Sequence, residues 1–139
     1  MRAPRFKAAD TAQQLIGGFL LAGPFVVTEE VWLLAHSMSW IQGLLTAVIV
    51  GTIGYIALYG AATERDPERE SDVGGVPLRF VSLMLVSFGS VLVLALLFDA
   101  PSVFLDHIPP EQRVPTTAKA LCLGAMFSVV GAATADTVF

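Results

Sequence analysis

Between Gln13 and Gly60 the only ionisable side chains are Glu29, Glu30, His36, Tyr55 and Tyr59. A run that long with so little charge has no polar face to turn toward water, as a helix on the surface of a soluble domain would need. It reads as membrane-spanning, because crossing a hydrocarbon core of about 30 Å takes roughly 20 predominantly apolar residues. The whole chain of 139 residues is 55% apolar and 14% charged, whereas soluble domains run near 45–50% and 25%.

Four segments meet the span criterion, at about 13–35, 40–61, 78–98 and 117–136. The expected fold class is therefore an all-α integral membrane protein, a single four-helix domain over 1–139 in the cell membrane. Arg2, Arg5 and Lys7 ahead of the first apolar run resemble a signal peptide. The length of that run and the second hydrophobic segment behind it argue against cleavage. Only His36 to Ser39 separate the first two spans, so these are expected as an antiparallel hairpin. An inner loop at 62–77 carries mixed charge with Pro67, Gly74, Gly75 and Pro77 as breakers, and an outer loop at 99–116 is rich in proline.

Basic residues set the expected orientation, since they accumulate on the cytoplasmic side of span ends. Arg2, Arg5, Lys7, Arg65, Arg69 and Arg79 fall on one side and Arg113 and Lys119 on the other. Both termini are thus expected in the cytoplasm. Trp32 and Trp40 beside the first outer turn, with Tyr55 and Tyr59 near the inner end of the second span, match interfacial aromatic belts.

Helices in lipid associate where small residues four apart let backbones approach. Gly18 and Ala22 supply such a stripe in the first span, Gly43, Ala47 and Gly51 in the second, and Gly124, Ser128 and Ala132, with Gly131 alongside, in the fourth. These stripes serve either the packing of one bundle or contacts between subunits. Four short helices enclose too little volume for a water-filled path, so conduction would require a homo-oligomer.

The strongest functional signal is Glu29 and Glu30, which follow Gly23-Pro24 and precede Val31-Trp32-Leu33-Leu34. A carboxylate inside a span is costly unless paired, hydrated or protonated, and such residues mark ion and proton sites. Pro24 removes a backbone hydrogen bond and is expected to kink the helix. Helical spacing sets Glu29 and His36 on one face, which suits a proton-sensitive site or metal ligands. The alternative is that both glutamates reach water at the outer boundary and His36 closes the hairpin. The choice depends on whether the span continues past Val27. Asp136 at the inner end of the last span reads as a solvated helix end.

Other chemistries find little footing. Asp99, Asp106, His107 and Glu111 share the expected outer side, but their spacing matches no metal motif. The single cysteine, Cys122, excludes an intrachain disulfide and a cysteine-based zinc site. There is no nucleophile elbow or phosphate-binding glycine loop, no enzyme or cofactor is expected, and no basic patch points to a nucleic acid.

Thr28-Glu29-Glu30-Val31-Trp32, the longer Gly23–Trp32 stretch, Asp10–Gln14, Arg79–Ser90 and Ser128–Asp136 resemble an uncharacterised family of polytopic membrane proteins of haloarchaea and bacteria, a domain of unknown function. The resemblance implies a multi-span, haloarchaeal-like protein, in keeping with the acidic connectors, and assigns no substrate or cofactor. The expected function is a homo-oligomeric channel or small transporter for a cation or proton that uses the carboxylates of the first helix. Two other classes stand beside it. One is an accessory or structural subunit docked on a membrane-protein partner; the other is an outer-face pH sensor built on His36 with Glu29.

Overall fold

A computed structural model describes residues 6–60 and 72–138. Six α-helices carry the described chain: α1 (Ala8–Val26), α2 (Glu29–Ser37), α3 (Trp40–Tyr55), α4 (Leu78–Leu97), α5 (Ala100–Phe104) and α6 (Pro110–Val138). α3 continues as a π-helical turn over Ile56–Gly60, and a two-residue hairpin, β1 (Asp72–Val73) and β2 (Val76–Pro77), leads into α4. Gly74 and Gly75 turn that hairpin with φ of +59° and +90°, values that glycine adopts without a side-chain clash. Most of the expected inner loop, from position 62 to 71, lies outside the described residues, as do Arg2 and Arg5.

Among the described residues three helices are long and apolar enough to cross a membrane: α3 with its π-helical extension, α4 and α6. α1 and α2 together qualify as a bent fourth. The chain is thus an all-helical, multi-pass membrane protein, and the expected association with a lipid bilayer holds.

The first expected span, 13–35, is not one helix. α1 begins earlier, at Ala8, where the Asp10 carboxylate accepts the Lys7 backbone N–H at 2.7 Å and settles the first turn. It runs through Pro24 and stops at Val26, and α2 leaves it at an angle of 80°. The break is satisfied locally. The Thr28 hydroxyl donates to the Pro24 carbonyl at 2.6 Å, and the Trp32 indole N–H donates to the Val26 carbonyl at 2.9 Å, so helix-end carbonyls gain partners without solvent. At about 1.5 Å per residue the 19 residues of α1 measure roughly 28 Å, close to a hydrocarbon thickness on their own.

α6 is the central helix, packed by α1, α2, α3 and α4. Its contact with α1 is backbone to backbone: a Cβ built on Gly17 would collide with the carbonyl of Gly131, and one on Gly131 with the carbonyl of Gly17. α3 settles between α4 and α6 through Gly54, whose missing Cβ leaves room for Met84, Leu83 and Val129. Two apolar clusters fill the interior. One gathers Trp32, Val26, Val91, Leu105 and Ile108 at the α2–α5 end, and the other gathers Val50, Leu58, Leu83 and Val129 toward the opposite end. Trp32 is therefore a core residue at 1% exposure rather than an interfacial one, while Trp40 is 73% exposed. The start of α1, the start of α4 and the end of α6 meet at one end of the bundle.

Candidate functional site

At that shared end three charged side chains from three helices converge. Arg79, in the first turn of α4, is 2% exposed, and its Nη1 donates to Asp136 Oδ1 of α6 at 2.8 Å. Its Nη2 lies 3.3 Å from Asp10 Oδ2 of α1, and the Phe6 ring covers the guanidinium at 5.5 Å. Asp136 is 4% exposed, so the solvated helix end read from the sequence is corrected: its carboxylate turns inward onto the guanidinium. Arginine suits this place, since a planar guanidinium holds two carboxylates at once.

Neutral polar groups extend the cluster. Gln14 is fully buried, its amide donating to Asp136 Oδ2 at 3.2 Å and accepting from the Ser82 hydroxyl at 2.6 Å. Because the Ser82 proton is used on Gln14, the 2.8 Å contact between Ser82 and Thr11 has Thr11 as donor. Deeper in, the Ser128 hydroxyl donates to the Gly18 carbonyl at 3.1 Å, and Ser90 Oγ is buried with no hydrogen-bond partner. Beyond this layer comes an apolar one, lined by Ala22, Val26, Val91 and Ala95. The polar column stops partway along the bundle.

Glu29 and Glu30 lie elsewhere. They open α2 beyond the end of α1, both exposed, where negative charge complements the positive end of the helix. His36 sits in the last turn of α2, also exposed, and its ring neighbour is His107 at 6.5 Å between centroids. Pro24 lies inside α1, and the change of direction comes after it, at Val27 and Thr28. Among the described residues no group of three or more His, Cys, Asp or Glu side chains is placed to hold a metal ion.

The small residues divide by position. Gly18 faces the Ser90 and Ser128 hydroxyls, which a Cβ would approach to 3.0 and 3.1 Å, and Ala22 is fully buried beyond it. Gly124 makes room for Val91 of α4, and Ser128 and Gly131 face α1. Gly43 lets the Lys119 side chain cross α3 and reach the Met38 carbonyl that ends α2. Ala47 is half-buried, and a Cβ on Gly51 would meet nothing within 4 Å.

The sequence reading did not single out Arg79 and Asp10 as a pair with Asp136, and no local motif could have done so. The signal available was topological. Arg79 and Asp136 fall at the same expected membrane face, on two spans, with opposite charge. No family model, curated protein or solved structure matches the chain.

Proposed function

We propose that the chain handles a cation or a proton in the membrane as one subunit of an oligomeric channel or small transporter, with Asp10 and Asp136 around Arg79 as its charged site. The observation that carries this reading is the burial of Arg79 and Asp136 where three helices meet. Ionisable groups inside membrane helices are expensive to keep there and are characteristic of ion and proton pathways. Protonating or screening either carboxylate weakens its hold on Arg79 and so loosens α1, α4 and α6 together. That is the coupling a transport cycle needs.

The apolar layer beyond Ser90 and Ser128 supports an oligomer rather than a lone bundle, since a path across the membrane then has to be completed between chains. Four crossings with both termini in the cytoplasm complete the arrangement. The shared end of α1, α4 and α6 supports it.

The same closed interior favours a second reading, a non-catalytic subunit that docks on another membrane protein. Proton and cation flux through the purified chain in liposomes separates the two. The first reading predicts flux in the native protein and its loss in the Asp10→Asn, Asp136→Asn variant, with helicity and micelle size retained. No flux under any gradient, together with recovery of a stoichiometric partner on mild purification, sinks the first reading and establishes the second.

A further inference from the structure

At the other end of the bundle the two histidines of the chain are brought together from segments about seventy residues apart in sequence. His36 ends α2, and His107 lies in the connection between α5 and α6. Their rings stand 6.5 Å apart with planes inclined at 75°, and both side chains are exposed.

The backbones that carry them are held. Lys119 Nζ donates to the Met38 carbonyl at the end of α2, two residues past His36. Arg113 donates from Nε to the Ile108 carbonyl at 3.3 Å and from Nη2 to the Asp106 carbonyl at 3.1 Å, bracketing His107. Both cations belong to α6, so a single helix holds the backbone beside both histidines. Beneath them the Trp32 and Phe104 rings stack at 6.1 Å and join α2 to α5.

We infer that His36 and His107 form a two-histidine site for a divalent transition-metal ion of the zinc or nickel class. Imidazole nitrogen is a preferred donor for these ions, at a metal–nitrogen distance of about 2.0–2.1 Å. Two imidazoles on one tetrahedral ion then have ring centres about 5 Å apart. The observed separation is larger by roughly 1.5 Å, which rotation of two exposed side chains on fixed backbones supplies. With two protein donors, water fills the remaining positions, so the site is open and exchangeable rather than a closed structural one. The bound ion clamps α2 to the α5–α6 connection. This inference is independent of the flux reading, because it concerns the opposite end of the bundle.

The test is calorimetric titration of zinc chloride, and separately nickel chloride, into the untagged full-length chain in detergent micelles at neutral pH. One ion per chain is expected in the native protein. Because the second imidazole binds intramolecularly at high effective concentration, His36→Ala and His107→Ala should each weaken binding at least tenfold. Cys122→Ser should leave it unchanged. Retained affinity in the His107→Ala variant, or no saturable binding to the native chain at millimolar metal, overturns the site. A stoichiometry of half an ion per chain also overturns it, since the ion would then bridge two chains.

Discussion

Replacing Asp136 by leucine removes a partner at 2.8 Å from a guanidinium that has 2% of its surface in contact with solvent. Arg79 cannot then lose its charge, because guanidinium stays protonated at any ordinary pH, and it cannot leave the interior without unpacking the start of α4. Breaking a buried ion pair from one side costs about 3–5 kcal/mol. Asp10 remains at 3.3 Å, which places the expected loss near the lower end, at about 3 kcal/mol, or a hundredfold in the folding equilibrium. Asp10→Asn should cost less, about 1 kcal/mol, because that carboxylate is 20% exposed and keeps the Lys7 N–H as a partner. The Asp10→Asn, Arg79→Met, Asp136→Leu triple variant should cost less than Asp136→Leu alone, since no stranded charge remains. Equilibrium unfolding in mixed micelles, followed by helical circular dichroism, measures all three. An Asp136→Leu loss below 0.5 kcal/mol, or a triple variant equal to the sum of its single changes, would refute the argument.

The helix crossings make a second contrast. Gly17→Leu should force α1 off α6 and lower stability sharply, whereas Gly51→Ala, where no atom lies within 4 Å of the added methyl, should raise stability by up to about 1 kcal/mol through helix propensity alone. Thermal unfolding of both variants checks this. Trp32→Phe should cost about 1 kcal/mol for the lost bond to the Val26 carbonyl, with a further loss from the smaller ring. In a Trp40→Phe background the remaining Trp32 fluorescence should be blue-shifted and resist aqueous quenchers; red-shifted, readily quenched emission would contradict its burial.

The membrane class was legible in the sequence because charge is segregated over long distances, a property that needs no knowledge of packing. The short connection after His36 was legible, as Ser39 and Gln42 cap α3 directly after it, but the expected pairing of the first two spans was not found: α3 packs chiefly on α6. The break between α1 and α2 was present but overridden. Thr28 followed by two glutamates is a helix-start pattern, yet the apolar residues on both sides favoured one continuous span. The stabilising partners of the break, Trp32 on Val26 and Thr28 on Pro24, are side-chain contacts that hydrophobicity does not encode. The charge cluster was hidden for a different reason. Asp10, Arg79 and Asp136 each sit at a helix end, where a lone charge is ordinarily solvated, and only the close α1–α6 approach at Gly17 and Gly131 draws them inside. Gly131 was expected to pack, but Gly17, its partner across the crossing, was not.

The interior charge lies at Asp10, Arg79 and Asp136, and Glu29 and Glu30 are exposed at the surface of the bundle. Thiol labelling with a membrane-impermeant maleimide tests this most directly, using single cysteines introduced in a Cys122→Ser background in membranes opened to reagent on both faces. Glu29→Cys and Glu30→Cys should label fast. Ser82→Cys and Ser90→Cys, at 9% and 1% exposure, should resist labelling until the bundle is denatured. Rapid labelling at Ser82 with protection at Glu29 and Glu30 would contradict this placement and return the intramembrane carboxylates to the first helix break.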